Sequence, residues 1–317
     1  MSVDVGSGTL AQLAPGFKTV MIVIVSLIVV GGFLALMARS AGPKIARRAS
    51  VVNRYVLLTV LALIVLFPVY ITVVNSLLSP DKIAGKPPTL FPTKPNWSGY
   101  GDAWSQGHLS RYLFNSFLVT VLIVTGQVMT SVLAAYAFAF LRFPLKRTIF
   151  VMFLATMMVP FEVTFLTNQA TVVTLHWYNT YFALVVPFLA TGFGAFLIRQ
   201  AFMSLPRDLR DAAALDGYGH WRFMMRVAVP LARPAIAALA LFSFFGAFNQ
   251  YLWPLIVTKD EKLRTVQIGL KYLRDVSIDQ INVTFAGTVI AAAPLFVLLL
   301  LFQKHLVRGL TAGAVKG

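Results

Sequence analysis

Residues 112–141 read YLFNSFLVTVLIVTGQVMTSVLAAYAFAFL, a stretch of 30 residues without a charged side chain. About 20 consecutive apolar residues suffice for an α-helix to cross the hydrocarbon core of a membrane, so this stretch predicts a transmembrane helix. A lone β-strand is excluded, because its backbone hydrogen bonds would remain unsatisfied in lipid. The stretch therefore assigns the chain to the all-α membrane proteins.

The composition of the whole chain agrees with this assignment. Of its 317 residues, 58% are hydrophobic and 12% are charged, whereas soluble domains carry about 25% charged residues. This composition excludes a disordered protein and a soluble enzyme, and it favours a polytopic membrane protein. The absence of cysteine excludes disulfides, thiolate metal sites and cysteine nucleophiles. The four scattered histidines have no metal-ligand spacing.

Six further apolar stretches predict six further spans. They are Lys18–Arg39, Tyr55–Leu78, Thr148–Thr167, Tyr181–Phe202, Pro234–Val257 and Thr284–Gln303. The first stretch could instead be a signal peptide, but its weakly basic start and the basic residue at its end favour an uncleaved helix. We therefore expect a transmembrane bundle of six core helices with one extra N-terminal helix. A start site assigned too far upstream is the alternative left open.

The distribution of basic residues predicts the orientation in the membrane. The formal net charge is +16, from 27 Lys and Arg against 11 Asp and Glu. Such an excess in a soluble protein would indicate nucleic-acid binding, but in a membrane protein it reflects basic residues at the cytoplasmic ends of spans, so no nucleic-acid partner is expected. The loops 39–54, 142–147 and 199–233 and the tail after 303 hold 17 basic residues, and the opposite side holds 10. The richer side should be cytoplasmic, which places the N-terminus outside and the C-terminus inside.

A polar segment between two spans, Ser204–Pro230, predicts an elbow of two short helices on the cytoplasmic side. Ser204 is expected to cap the first helix, with Pro206 in its first turn. Asp208 and Asp211 complement the positive end of that helix. The alanines that follow are strong helix formers, and their small side chains allow a partner surface to approach closely.

The second half of this segment predicts a turn and a second helix. Gly217 and Gly219 are expected to stop the first helix, because glycine accepts the left-handed conformation of a helix terminus. A second amphipathic helix should then cover His220–Val229. Pro230 and Pro234 mark the return of the chain to the membrane.

The run Asp211-Ala212-Ala213-Ala214-Leu215-Asp216-Gly217, followed by Val227-Ala228-Val229-Pro230, resembles the cytoplasmic loop of the membrane subunits of bacterial binding-protein-dependent ABC importers. In that family the loop docks into a cleft of the ATPase subunit and couples ATP-driven closure to opening of the membrane path. The resemblance implies an ATPase-coupling loop made by Asp208, Asp211, Ala212, Ala213, Asp216, Gly217 and Pro230.

The resemblance covers most of Leu57–Leu310 and narrows to type I importers of sugars and glycerol phosphates. The segments most similar to the second permease subunit of glycerol-3-phosphate importers are Phe143–Leu145, Val159–Val163, Phe202–Pro206, Asn249–Leu255 and Val307–Leu310. The resemblance implies a permease domain over residues 55–317, preceded by an extra helix and a basic linker over residues 1–54. The implied location is the inner membrane of a bacterium.

The same resemblance implies partners and a substrate class. The expected partners are a second permease subunit, two ATPase subunits, an extracytoplasmic solute-binding protein and membrane lipid. The expected substrate is sn-glycerol 3-phosphate or a glycerophosphodiester such as glycerophosphocholine, with a sugar or oligosaccharide as the alternative. The chain has no G-x-x-x-x-G-K-[ST] phosphate loop, so we expect no cofactor in this chain and assign ATP and magnesium to the ATPase.

Glu162 is the only acid inside a predicted span. On a straight helix starting at Thr148 it would lie about 21 Å along the axis, in the outer half of the hydrocarbon core. A carboxylate at that depth should face a cavity or a polar partner. Glu162 therefore either lines or gates the substrate path, or it is a buried acid paired with a neighbouring span or subunit.

Four residues near the end of the sixth predicted span are further candidates for the path. Asn249 and Gln250 carry amides that need partners in hydrocarbon, and they could bind hydroxyls or phosphate oxygens. Tyr251 and Trp253 could pack against a glycerol or a choline-like cation. The alternative is an interfacial aromatic belt, which explains the two aromatic residues better than the two amides.

Two other classes of function fit the sequence less well than an importer subunit. A membrane enzyme should show clustered His, Asp and Glu residues at one interface, and the sequence has no such cluster. A self-sufficient ion-coupled carrier usually needs several charges within its spans, and only Glu162 is available. The sequence therefore favours a non-catalytic permease subunit.

Overall fold

The computed structural model describes residues 43–85, 88–276 and 279–311, together with the single residue Gly32. Within these ranges every regular element is a helix, which confirms the all-α prediction. The predicted extra span Lys18–Arg39 lies, except for Gly32, outside the described residues. The domain boundary between residues 54 and 55 stays a prediction, and one continuous helix runs across it.

The described residues divide into two compact units, one made by residues up to 106 with 273–290 and the other by residues 107–272 with those from 291 onward. The first unit contains helices α1 (Pro43–Ser76), α2 (Pro80–Ala84) and α3 (Ser98–Gln106). Hydrogen bonds tie the segment after α2 to α1 and to Leu77, the residue that follows α1. The Tyr70 hydroxyl donates to the carbonyl of Leu90 at 2.6 Å, and the backbone N–H of Asn96 donates to the carbonyl of Leu77 at 2.8 Å.

The second unit is a bundle around one long helix, α4 (Leu109–Phe140). The helices that follow in the chain are α5 (Lys146–Met158), α6 (Phe161–Thr174), α7 (Tyr181–Phe188), α8 (Gly192–Met203), α9 (Arg207–Leu215), α10 (His220–Leu231), α11 (Arg233–Phe248) and α12 (Leu252–Val257). Two more helices, α13 (Val266–Val276) and α14 (Ile281–Thr311), contain residues of both units.

Glycines allow α4, α7 and α8 to approach one another closely. A Cβ at Gly126 of α4 would collide with the side chain of Leu189, the residue after α7, and a Cβ at Gly194 of α8 would collide with the hydroxyl of Ser131 on α4. Small residues at helix interfaces let backbones approach and gain van der Waals contact, the main packing force available in lipid. These glycines therefore position the core of the second unit.

The buried amide of Asn115 holds the segment between α12 and α13 against the N-terminal part of α4. Its Nδ2 donates to the carbonyls of Lys262 and Arg264 at 2.8 and 2.9 Å, and its Oδ1 accepts from the Tyr181 hydroxyl at 2.9 Å. Buried amides are retained when all their groups are paired. This one residue therefore orders the chain between α12 and α13.

The predicted span Thr148–Thr167 is not a straight helix. Its two parts, α5 and α6, meet at an angle of 96°. The break follows from Pro160, because the residue before a proline is pushed out of the helical conformation, and Val159 has φ −80° and ψ 114°. The depth of 21 Å inferred for Glu162 assumed a straight helix and is wrong for that reason.

Two other predicted spans are also bent. α7 and α8 meet at 41°, and α10 and α11 meet at 77°. The predicted span Pro234–Val257 ends as a regular helix at Phe248, and residues 249–251 separate it from α12. By length and composition, the described part of the chain has three helices that could cross a membrane alone, and up to six if each bent pair is one span.

Candidate coupling elbow and translocation path

The first helix of the elbow starts at Arg207, two residues later than a Ser204 cap would require. The Ser204 hydroxyl donates to the carbonyl of Ala201 at 2.8 Å, so it closes the end of α8 and the predicted cap is wrong. Pro206 lies just before α9 and not within its first turn. Asp208 occupies the first turn as predicted, where a negative charge complements the helix dipole.

The end of α9 at Gly217 follows the sequence prediction closely. Gly217 has φ +73°, the left-handed conformation that glycine accepts without strain. Its N–H donates to the carbonyl of Ala214 at 3.1 Å, and the N–H of Tyr218 donates to that of Ala213 at 2.8 Å. This pair of bonds is the Schellman arrangement of a helix C-terminus. Gly219, in contrast, is extended at φ −72° and begins the next helix, so its predicted stop role is wrong.

The second helix of the elbow, α10, is anchored on α4. It confirms the predicted helix over His220–Val229, extends to Leu231 and contains a π-helical stretch over Met224–Ala228. The Tyr136 hydroxyl on α4 and Nδ1 of His220 lie 3.1 Å apart, within hydrogen-bond distance. The rings of Tyr136 and Phe223 are 6.4 Å apart. Pro230 is half-buried near the end of α10, just before the bend into α11.

The elbow has a packed inner face and an exposed outer face. Ala213 is 7% exposed and belongs to the buried cluster with Phe202 and Phe223, so it packs inward. On the outer face Leu215 is 90% exposed and Trp221 is 66% exposed. Exposed apolar side chains of this size in one short segment indicate a surface that a partner covers.

Acidic side chains flank this apolar surface. Asp208, Asp211 and Asp216 are exposed, and within the described residues none of their carboxylates has a hydrogen bond or an ion pair. Ala212 is exposed beside Asp211. The structure therefore brings these predicted coupling residues together on one accessible segment, with Gly217 at its end.

Glu162 lies in the first turn of α6 and is exposed. Within the part of the chain that the structure describes, its carboxylate has no hydrogen-bond or ion-pair partner. The position favours a negative charge, because the N-terminal end of a helix carries a partial positive charge. Of the alternatives drawn from the sequence, pairing of this acid with a neighbouring helix is not observed among the described residues.

Asn249 closes the end of α11. Its Nδ2 donates to the carbonyl of Phe245 at 3.0 Å, and its Oδ1 accepts from Nε2 of Gln267 at 3.2 Å. Both ends of the amide therefore have protein partners. In this conformation Asn249 joins the break after α11 to α13.

Trp253 is a packing residue in this conformation. It is 2% exposed, and its indole N–H donates to the carbonyl of Ala183 at 2.9 Å. The rings of Phe161, Phe165 and Phe188 surround it in edge-on contacts. Tyr251 is half-buried just before α12.

Gln250 lines a cavity of about 260 Å³ among α4, α8 and α11. The other polar residues of its lining, Gln127, Thr191 and Ser243, had no signal in the sequence. Each of them is a polar residue within a mostly apolar stretch. Such residues are common in membrane helices, so they do not mark a site. Only the folded arrangement brings these four together.

Comparison with known proteins identifies the family. A family model described as "binding-protein-dependent transport system inner membrane component" matches residues 127–312. The sn-glycerol-3-phosphate transport system permease protein UgpE of Rhizobium meliloti (strain 1021) is 36% identical over 265 residues, which are 81% of this chain and 94% of that protein. The protein of the same name from Yersinia pestis is 32% identical over 83% of this chain and 97% of that protein.

Two solved structures share the fold. A bacterial ABC transporter involved in the import of the acidic polysaccharide alginate has a chain that matches with a TM-score of 0.74 at 23% identity, over 83% of this chain and 98% of that chain. A bacterial alginate ABC transporter in complex with an alginate pentasaccharide-bound periplasmic protein matches with a TM-score of 0.54 at 14% identity. Because the family model covers more than half of the sequence and the curated relatives align over most of their length, the chain belongs to the inner membrane components of binding-protein-dependent transport systems.

Proposed function

We propose that the chain is one permease subunit of an ATP-driven importer for sn-glycerol 3-phosphate or a glycerophosphodiester such as glycerophosphocholine. The observation that carries this proposal is the similarity to permeases named for sn-glycerol-3-phosphate transport, at 36% identity over 94% of one such protein. The extent of the similarity matters here, because it includes both the cytoplasmic elbow and the helices that line the cavity.

The elbow supports coupling to a separate ATPase. Its exposed face combines Leu215 and Trp221 with the unpaired carboxylates of Asp208 and Asp211. Its inner face is fixed on α4 by the contact between Tyr136 and His220. A short helix with one buried face and one apolar, charged outer face suits a groove on a partner. Movement of that partner would then be passed to α4 and α11.

The remaining partners follow from the same proposal. One permease subunit supplies half of a path, so a second permease subunit completes it. A solute-binding protein outside the membrane delivers the substrate, as the periplasmic protein in one of the solved relatives suggests. Glu162, Asn249, Gln250, Tyr251 and Trp253 remain candidates for the path in other conformations of the transport cycle.

The test is transport by the reconstituted complex. The chain would be placed in proteoliposomes with a second permease subunit, an ATPase and a solute-binding protein from the same organism. We expect ATP-dependent uptake of labelled sn-glycerol 3-phosphate that requires the binding protein and is inhibited by glycerophosphocholine. Uptake of a sugar without uptake of glycerol phosphates would contradict the substrate assignment.

A variant at Tyr136 tests how the elbow is anchored. Tyr136→Phe keeps the ring contacts and removes the hydroxyl that lies 3.1 Å from His220. Loss of such a bond costs about 1 kcal/mol, so we expect the number of solutes transported per ATP hydrolysed to fall severalfold while the complex assembles normally. Tyr100→Phe is the matched control, since it loses a 2.7 Å bond to Ser76 in the first unit. Equal coupling in both variants would contradict the anchoring role.

A further inference from the structure

The cavity among α4, α8 and α11 combines apolar walls with four neutral polar side chains. Its volume is about 260 Å³, and Gln127, Thr191, Ser243 and Gln250 contribute its polar lining. The rings of Phe193 and Phe242, 6.1 Å apart in an edge-on pair, form part of the wall. No residue of the lining is charged. Small-molecule sites typically combine mostly apolar walls with a few placed polar groups, and their volumes are about 300 Å³ or more.

Three of the four polar side chains are free to bind a ligand. Within the described residues, the hydroxyls of Thr191 and Ser243 and the amide of Gln250 have no hydrogen-bond partner. Gln127 is partly used, because its Nε2 donates to the carbonyl of Phe188 at 2.8 Å. That bond fixes the amide plane.

Within the described residues some hydroxyls are paired and others are not, and Thr120 and Ser131 on α4 are also buried without a hydrogen-bond partner. Thr130, Thr171 and Thr288 each donate to the carbonyl four residues earlier. This is the usual way to satisfy a hydroxyl in an apolar helix. Ser243 lies inside α11 without such a bond. Thr191 lies at the N-terminal end of α8 without capping it.

We propose that this cavity binds the uncharged, hydroxyl-bearing part of the transported solute, which is the glycerol moiety if the proposed function holds. Hydroxyl and amide groups both donate and accept hydrogen bonds, as each hydroxyl of a polyol does. The four polar groups thus complement a small polyol, and the Phe193 and Phe242 rings can pack against its carbon chain. The proposal rests on the proposed function for the identity of the solute.

The absence of a basic side chain from the lining decides against the phosphate as the group bound here. A phosphate carries a negative charge, and burying a charge without a cationic or multiple hydrogen-bonding partner is costly. Neither Lys nor Arg lines the cavity. The cavity would therefore distinguish solutes by their hydroxyls and not by their charge.

A steric variant tests whether the cavity is used in transport. A Cβ at Gly246, which also lines the cavity, would have no atom within 4 Å. Gly246→Leu should therefore fill the cavity without displacing a helix. We expect uptake to fall about tenfold or more, while the complex assembles at the wild-type level. Gly101→Leu is the matched control, because Gly101 of α3 also has open space around its Cβ and does not line the cavity.

A labelling experiment tests what the cavity binds. The chain has no cysteine, so Ser243→Cys introduces a single thiol into it. In the permease–ATPase complex, with cysteines of the partner subunits replaced, a small thiol reagent should label this variant. We expect sn-glycerol 3-phosphate and glycerol to slow the labelling severalfold and inorganic phosphate to leave it unchanged. A Ser105→Cys variant on α3 should be labelled at the same rate with every solute.

Three results would overturn the proposal. The first is protection by inorganic phosphate equal to that by glycerol. The second is labelling that no transported solute slows. The third is labelling of the isolated chain but not of the complex, which would show that the second permease subunit fills the cavity. If the wild-type complex imports a sugar in place of glycerol phosphates, the substrate assignment fails, but protection by that sugar would still support a polyol site.

Discussion

Replacing Gly217 with proline is expected to abolish coupled transport. Proline fixes φ near −65° and has no N–H, whereas Gly217 has φ +73° and donates its N–H to the carbonyl of Ala214. The substitution should therefore destabilise the end of α9 by about 3 kcal/mol. The measurement is solute uptake together with ATP hydrolysis stimulated by the binding protein, and both should be lost in the reconstituted complex.

The neighbouring glycine provides the matched control for this prediction. Gly219 has φ −72°, and a Cβ there would have no atom within 4 Å. Gly219→Ala should therefore leave uptake unchanged, whereas Gly217→Ala should reduce it, because the left-handed conformation costs a residue with a Cβ about 1–2 kcal/mol. Equal activity of the two alanine variants would contradict the proposed dependence on the turn at Gly217.

Charge reversal at Asp211 separates docking from folding. Asp211 is exposed, and within the described residues its carboxylate has no partner. Asp211→Lys should therefore leave the fold intact and repel a partner site that accepts an acid. We expect a complex with normal thermal stability and strongly reduced stimulation of ATP hydrolysis. Normal stimulation in this variant would argue against the elbow as the ATPase contact.

Replacing Gly194 with valine is expected to prevent assembly of the second unit. A Cβ at this position would collide with the hydroxyl of Ser131 and lie 2.9 Å from both Leu239 and Thr191. Ser131 on α4 and Leu239 on α11 are buried, so neither side chain can move away without displacing its neighbours. Overpacking of this kind destabilises a protein by about 1–3 kcal/mol. Valine adds two methyl groups beyond the Cβ, so the loss of stability should lie at the upper end of this range.

The measurement for this variant is the yield and thermal stability of the purified complex. Gly246→Ala is the control, since it adds a Cβ to a glycine of α11 that has open space. We expect the control to match the wild type and Gly194→Val to be lost from the membrane fraction. A stable Gly194→Val complex would show that α8 and α4 do not pack this closely in the membrane.

Local sequence predicted much of the elbow, because its structure depends on neighbours in the chain. The end of α9 at Gly217 was predicted correctly, since a left-handed glycine after an alanine-rich run is a local property. Ser204 was assigned to the wrong helix, because its hydroxyl had a competing carbonyl in the preceding turn, at Ala201. Capping preferences alone do not decide between two helix ends that are this close together.

The sequence by itself determined the fold class, the apolar stretches and the family resemblance. These depend on composition and on motifs such as Asp211–Gly217, which are local properties of the sequence. The direction of each helix in space could not be predicted from these local features. A 96° bend at Pro160 changes where Glu162 lies, and no count of residues along a straight axis reports it.

Only the tertiary structure decided which polar residues share a site. Trp253 was a path candidate from its sequence, and packing places it among Phe161, Phe165 and Phe188. Gln127 and Ser243 are 116 residues apart in the chain and line one cavity. The physical reason is that a polar residue in an apolar helix has the same local sequence signal whether it faces lipid, a neighbouring helix or a cavity. The crossing of α4, α8 and α11 alone determines which of these surfaces it meets.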